Sequence, residues 1–356
     1  MSDRFRAVRW LALLALWLTH LAALAAPPAA TGVGLSDIRI HDPVSGGEMP
    51  GLVFYPSAQA KGVAVRGPYR IEATVDAPAI PGPKPLVVIS HGNGGSDMGH
   101  HDLATYLASH GFVVATLEHT GDNFHDQSGV GYPQVLGGRP IQVAATISTL
   151  LADPRWKTLI DNERIGVAGF SAGGYTALMV VGAKPHLERF IGYCKKYPGD
   201  EPACGPLRRL LASATRHGQS DLDIVAIFQK DMLKWGDTAD PRVKAAFAMA
   251  PLSIPFDASS VAAITRPVYL YYGQDDHVLI PQENAARLAP LLHTLEGKTV
   301  VPKADHWVFL APCSPELAKE APVICSDPAG VDRVKVHAQI QQDALAFFRK
   351  TLHVSP

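Results

Sequence analysis

A serine flanked by glycines, Gly169-Phe170-Ser171-Ala172-Gly173, lies between two runs of different character. Before it comes an apolar, strand-like stretch, Ile165-Gly166-Val167-Ala168, and after it a helix-like one, Tyr175-Thr176-Ala177-Leu178-Met179-Val180. A strand that turns sharply into a helix at such a pentapeptide lifts the serine hydroxyl out of the sheet, in the strained backbone conformation of a nucleophile elbow. Gly169 and Gly173 lack the Cβ atoms that would collide where strand and helix cross. Taken alone, the pentapeptide fits a Gly-rich turn without chemistry equally well. A serine nucleophile also needs a base within hydrogen-bond reach and a group to orient that base.

Both are present downstream, each after a strand-like run. Val268-Tyr269-Leu270-Tyr271-Tyr272 leads into Gly273-Gln274-Asp275-Asp276-His277-Val278. Neighbouring aspartates on a loop point in different directions, so one of Asp275 and Asp276 is expected to reach the base. Asp257, after the preceding strand, is a weaker rival. Five histidines lie beyond the strand Val268 to Tyr272: His277, His293, His306, His337 and His353. His277 adjoins the acid too closely to bridge it to Ser171. His293 ends a helix, where a cation suits the dipole. His337 lies within the last helix and His353 in the tail. His306 follows the strand Lys298 to Val301 on a loop and occupies the place where a base is required. A third loop, His91-Gly92-Asn93-Gly94-Gly95, follows Leu86-Val87-Val88-Ile89-Ser90. Its glycines let backbone amides turn toward a developing negative charge. The expected oxyanion donors are the Asn93 and Ala172 N–H groups, with His91 steadying the loop. Losing one such donor typically costs about 2.7–4 kcal/mol in the transition state.

These loops need a scaffold. Two alternating segments, Ile38 to His41 and Gly51 to Tyr55, predict antiparallel edge strands. Buried-type strands are predicted at Leu86 to Ser90, Phe112 to Leu117, Arg164 to Ala168, Ala245 to Ala250, Val268 to Tyr272 and Lys298 to Val301. Helices are predicted at His101 to His110, Pro140 to Leu151, Ala172 to Gly182, Pro281 to His293 and Asp332 to Leu352. The alternation implies an α/β fold with a mostly parallel central sheet flanked by helices. Val336, Ile340, Ala344, Phe347 and Phe348 form a stripe at helical spacing, which reads as core. The alternation breaks between about Lys184 and Arg242, with helix-like pieces at Leu207 to Ala214 and Ile224 to Leu233. This stretch is too long for a connection and too short for a domain. It is expected to be a helical cap insertion, about 185–241, roofing a partly enclosed apolar pocket that includes Trp307.

Composition narrows the class. The 356 residues are 47% hydrophobic and 18% charged with a formal net charge of -1, an ordinary globular balance. No basic excess or charge block points to nucleic acid. Arg4, Arg6 and Arg9 precede an apolar run from Trp10 to Leu24 and a small-x-small site at Ala23-Leu24-Ala25. Residues 1–25 therefore read as a cleaved signal peptide, leaving 26–356 as one exported domain in the periplasm or outside the cell. The apolar run is shorter than the about 20 residues that span a bilayer, so no stable membrane span is expected. Export gives meaning to Cys194, Cys204, Cys313 and Cys325: an even count in an oxidising compartment suggests two disulfides. The local pairing, Cys194–Cys204 and Cys313–Cys325, is the simplest of three connectivities.

In these four elements (elbow, acid, histidine and oxyanion loop) and their order, the chain resembles the α/β-hydrolase superfamily. More narrowly, it is similar to exported bacterial proteins described as predicted dienelactone hydrolases, themselves similar to platelet-activating-factor acetylhydrolases. The resemblance rests on Ser90 to Gly95 (S-H-G-N-G-G), Glu118 to Asn123 (E-H-T-G-D-N), Gly169 to Gly174 (G-F-S-A-G-G), Gly273 to Val278 (G-Q-D-D-H-V) and Asp305 to Cys313 (D-H-W-V-F-L-A-P-C). It implies the α/β-hydrolase fold, places the acid at Asp276 through a G-x-x-D pattern, and makes Ser171, Asp276 and His306 the catalytic set. True dienelactone hydrolases use a cysteine where this chain has Ser171, so the expectation is hydrolysis of a small-molecule or lipid-like ester through an acyl-enzyme. No cofactor or metal is called for. The rivals are an amidase or peptidase of the same fold, a hydrolase-fold binding protein without activity, and a metal-dependent hydrolase built on Gly99-His100-His101-Asp102, whose adjacent histidines diverge on a helix.

Overall fold

Alternate residues along the buried strands face opposite sides of a sheet, and each side carries its own core. In the computed structural model, which describes residues 32–59 and 62–355, Leu86 and Val88 join one hydrophobic cluster while Val87 and Ile89 join another. The putting-together follows from period-two burial on both faces: a strand buried on both sides needs helices above and below. The signal segment expected at 1–25 lies outside the described residues.

Eleven strands are present among the described residues. They are β1 (Gly32–His41), β2 (Glu48–Ser57), β3 (Ala64–Arg66), β4 (Tyr69–Ile71), β5 (Thr74–Val75), β6 (Lys84–Ser90), β7 (Val113–Leu117), β8 (Ile160–Phe170), β9 (Val243–Met249), β10 (Val268–Gly273) and β11 (Leu295–Val301). Nine form one sheet in the order β11-β10-β9-β8-β6-β7-β2-β1-β5. From β11 to β7 every neighbouring pair is parallel, with Val88 opposite Val167 on one side and Ala115 on the other. β2 pairs antiparallel with β7 and with β1, so β2 is interior rather than an edge, and the two-residue β5 lies outside β1. The hairpin β3–β4 and β5 are too short to leave a periodic signature in the sequence.

The longer helices are α1 (His101–Ser109), α2 (Pro133–Ala152), α3 (Ala172–Val180), α4 (Leu187–Lys196), α5 (Glu201–Arg216), α6 (Asp221–Leu233) and α7 (Arg333–Thr351). Val143, Ile147 and Leu150 of α2 and Ala177 to Val180 of α3 pack on one face. Leu103 and Leu107 of α1 and Ile340, Ala344, Phe347 and Phe348 of α7 pack on the other. The stripe on the last helix is therefore core, with Val336 at its margin. Among the described residues, α2 is the one helix long and apolar enough to cross a membrane, and 61% of its apolar window is buried in the protein.

Two helices differ from expectation. α2 begins at Pro133 and runs through Pro140, with Gly137 close against Met232 of α6. The helix expected over Pro281 to His293 is reduced to Ala285–Leu288 and a 3₁₀ turn, Ala289–Leu291. Asn284 turns its side chain to accept the Ser253 and Ile254 N–H groups, and Pro290 has no N–H to continue an α-helix.

The break in the alternation is a three-helix insertion, α4–α6, of which α4 was not anticipated. Phe190, Ile191, Leu207 and Phe228 are its buried faces. Asp200 caps α5 by accepting the Ala203 N–H at 3.0 Å, and Ser220 and Asp223 form a reciprocal capping box on α6. Cys194–Cys204 ties α4 to α5, and Cys313–Cys325 closes the segment before α7.

Candidate active site

β8 ends at Phe170, and Ser171 takes φ 58°, ψ −118° before α3 begins at Ala172. A β-carbon in this region of φ is strained, and the surroundings hold it there. The Ser171 N–H donates to the Met249 carbonyl at the end of β9 (2.9 Å), and its own carbonyl accepts from Leu252 N–H (3.1 Å) and Tyr175 N–H (3.0 Å). The crossing is close. A Cβ on Gly169 would lie 2.0 Å from the Gly173 carbonyl oxygen, and one on Gly173 would lie 1.9 Å from the Ser90 carbonyl oxygen. Both flanking glycines are therefore required by backbone contact.

The acid and the imidazole meet where β10 and β11 end. The loops after these strands are zipped together: Gln274 N–H donates to Val301 O and Asp275 N–H to Ala304 O. That leaves Asp275 exposed and turns Asp276 inward, 3% exposed. Asp276 Oδ1 accepts the Val278 and Leu279 N–H groups (2.9 and 2.7 Å), and Oδ2 accepts His306 Nδ1–H at 2.7 Å. Each carboxylate oxygen is thus committed, and the ring has a fixed tautomer. With the proton on Nδ1, neutral His306 carries its lone pair on Nε2. The rings of Phe170 and Trp307 flank the imidazole, at centroid distances of 4.7 and 5.2 Å. Asp257 is occupied elsewhere: it caps the helix Ala258–Val261 and pairs with His186 at 2.9 Å. His277 is exposed.

Ser171 and His306 line the same cavity, of about 410 Å³, together with Gly92, Asn93 and Trp307. The insertion supplies Leu187, Phe190, Leu207 and Phe228 to its wall. Asn93 belongs to the peptide whose carbonyl is that of Gly92. That carbonyl is held inward, accepting the Gly95 N–H (3.1 Å) and His91 Nδ1–H (2.6 Å). In a trans peptide the N–H points opposite to the C=O, so the Asn93 N–H is turned away from the loop's own bonds. Ala172 is the first residue of α3, a position whose N–H has no intrahelical acceptor. The residues singled out as Ser171, His306, Asp276, Asn93 and Ala172 therefore come to one end of the parallel strands.

The sequence reading missed what lies beneath. Arg139 and Asp122 form an ion pair at 2.5 Å with side chains 1% and 0% exposed. Burial pushes the Asp122 carboxyl up and the Arg139 guanidinium down, and each partner opposes that trend in the other. Asp122 stood within the quoted E-H-T-G-D-N motif, but nothing in the sequence marked Arg139. The network extends through neutral histidines. His119 Nδ1–H donates to Gln142 Oε1 (2.7 Å), so its Nε2 accepts the Ser90 hydroxyl (2.8 Å), while His91 Nε2 accepts the His119 N–H (3.1 Å). Burial, and then the Arg139 charge, hold both rings well below the usual histidine range. His100, His101 and Asp102 do not converge as one site. His100 packs edge-on against Phe170, His101 edge-on against Tyr69, and Asp102 pairs with His337.

A mostly parallel sheet in this order, with a strained serine after one strand and an acid and histidine after the two strands beyond its neighbour, defines the α/β-hydrolase fold. The sequence profile of the family described as "Platelet-activating factor acetylhydrolase, isoform II" matches residues 60–128. Among solved structures, a ferulic acid esterase from Streptomyces cinnamoneus is similar, with a TM-score of 0.59, 21% identity and 93% of each chain covered. No match is found among curated protein sequences.

Proposed function

We propose that the protein is an exported serine carboxylesterase acting on small or lipid-like acyl esters. The observation that carries this reading is the strained Ser171 sharing an apolar cavity with His306, whose Nδ1 is held by Asp276. In this mechanism His306 Nε2 takes the Ser171 proton as Oγ attacks the ester carbonyl. Asp276 stabilises the imidazolium without taking its proton. The Asn93 and Ala172 N–H groups receive the oxyanion, His306 protonates the leaving alcohol, and a water activated by His306 releases the acyl group. The similarity of residues 60–128 to the acetylhydrolase family supports an ester substrate. Two disulfides agree with an oxidising compartment, outside the cell or in the periplasm.

The apolar wall of the insertion suits an acyl chain, and Leu187 and Phe228 also border a second cavity of about 560 Å³ with Met179 and Met232. In this reading α4–α6 act as the cap of a single domain. A fluorophosphonate probe is expected to label Ser171, and Ser171→Ala to abolish both labelling and p-nitrophenyl ester turnover. Labelling of the Ser171→Ala protein at the wild-type level would reject the assignment. Acyl anilides should turn over far more slowly than matched esters; the reverse order would make it an amidase. Phe228→Ala should shift the preferred acyl chain to longer lengths by joining the two cavities.

A further inference from the structure

We propose that Arg139 and Asp122 are positioning residues that lock the loop His91–Gly95 to the start of α3, so that the Asn93 and Ala172 amides address one oxygen atom. The inference rests on the esterase reading and adds to it two residues outside the reacting set. Apart from their mutual bond, the groups on this pair serve the two segments that carry the amides. Asp122 Oδ1 accepts the Gly94 N–H at 2.9 Å. Arg139 Nη2 donates to the His91 carbonyl and to Ser90 Oγ, the latter at 3.3 Å. The peptides on either side of the Asn93 amide are therefore pinned, one by each partner. Arg139 Nε donates to Thr176 Oγ1 at 3.1 Å, and the Thr176 hydroxyl donates to the Ala172 carbonyl at 2.8 Å. One planar guanidinium thus bridges loop and helix, a geometry a lysine could not reproduce.

Stability alone is a poor reason for such a pair. Replacing a fully buried ion pair by apolar side chains is often neutral or stabilising, whereas removing one partner leaves an uncompensated charge. Positioning is a better reason, because a misplacement of about 1 Å near the reacting atoms can cost about 100-fold in rate.

Two charge-neutral double variants test this. Asp122→Leu with Arg139→Met removes every bond from this pair to the loop. Asp122→Asn with Arg139→Gln retains an acceptor for Gly94 N–H and a donor for the His91 carbonyl. The apolar pair is expected to fold and to lose about 100-fold in kcat with KM within about two-fold, the pattern of an interaction made only in the transition state. Its affinity for a trifluoromethyl ketone should fall by the same factor. The amide pair should recover at least about ten-fold of that loss. If the apolar pair does not fold, Thr176→Val serves instead, cutting only the link to α3, with a smaller kcat loss at unchanged KM. Equal kcat in the two doubles, or an unchanged kcat in a folded apolar pair or in Thr176→Val, overturns the proposal. Fluorophosphonate labelling of the wild-type protein is measured first. Absent labelling at Ser171 sinks the esterase reading, while labelling with insensitive variants sinks this inference alone.

Discussion

Among the described residues, two histidine–carboxylate pairs have a buried imidazole, one at the cavity and one behind it, and they differ in what the second ring nitrogen meets. His306 donates from Nδ1 to Asp276 at 2.7 Å, and the residue lines the cavity beside Ser171. His337 of α7 donates from Nδ1 to Asp102 at 2.6 Å, and its Nε2 donates to the Val308 carbonyl at 2.9 Å. Two acceptors demand two protons, so His337 is an imidazolium bound on both sides. His306 has one acceptor and keeps a lone pair to offer. An aspartate beside a histidine is therefore not a functional signature by itself; the environment of the far nitrogen separates a candidate base from a structural cation. The two pairs are also connected. Val308 belongs to the 3₁₀ turn His306–Phe309, so the structural pair steadies the turn that carries the candidate base.

The sharpest way to break the contrast is at Asp276. Asp276→Asn offers an amide that can donate to Nδ1 and drive the ring to the Nε2–H tautomer, removing the lone pair. The expected loss is about 10⁴-fold in kcat on p-nitrophenyl esters, with the fold intact by circular dichroism. A loss under about ten-fold would dissociate this pair from the chemistry. At the other pair the balance should reverse. His337→Gln leaves the partly buried Asp102 of α1 without its cation, and should cost about 2 kcal/mol in urea unfolding. Its kcat should fall by only about ten-fold, through a looser turn at His306. If His337→Gln abolished turnover without loss of stability, the division between the pairs would be wrong.

How much of this was legible follows from sequence distance. Ser171 announces itself through contiguous residues, because the elbow is a local strand–turn–helix event. His306 was read from its place after a strand, which topology converts into proximity; strand position left Asp275 and Asp276 open, and the family resemblance pointed to Asp276. His337 read as an ordinary helix residue, since its partner Asp102 is 235 positions away. Arg139 lies 48 positions from the His91 carbonyl it binds, and no local pattern links them. The helix α4 did carry a signal, Leu187, Phe190, Ile191 and Cys194 at helical spacing, obscured by its charged neighbours. The short Ala285–Leu288 helix shows the opposite error: the apolar spacing suggested a long helix, and Asn284 and Pro290 cut it down through long-range and backbone hydrogen-bond demands.

The charge state of His337 gives a smaller, signed prediction. Burial disfavours its cation, but the Asp102 carboxylate, their hydrogen bond and the Val308 carbonyl prevail and raise its pKa, with Arg333 on the same helix opposing them. A raised histidine pKa stabilises the fold fully below the unfolded value of about 6.5 and loses that contribution as pH rises through the folded value. Urea midpoints for the wild type should therefore fall more between pH 6 and 9 than those for His337→Gln. The other groups facing the pair behave differently: burial lowers His100 to about 4, so it stays neutral across this window, and burial also lowers His101. Asp97, pushed up to about 7 by burial and then by Glu118, titrates in both proteins and cancels in the difference. Parallel pH curves would mean that His337 is not the cation its two acceptors require.

The smallest expected effect lies at the joint between the loops that carry Asp276 and His306. Asp305 Oδ1 accepts both the His277 N–H (2.9 Å) and the His306 N–H (2.7 Å), so one carboxylate oxygen ties the loop after β10 to the turn bearing His306. It acts as an N-cap, whose loss costs about 1 kcal/mol. Asp305→Ala should therefore lower stability by about that amount and reduce kcat a few-fold, because the His306 ring keeps its own bond to Asp276. Asp305→Asn retains the accepting oxygen and should restore both. Recovery of stability without recovery of kcat would mean that the charge of Asp305, rather than its grip on two backbone amides, matters to the imidazole, and the contrast between the two pairs would then have to include a third carboxylate.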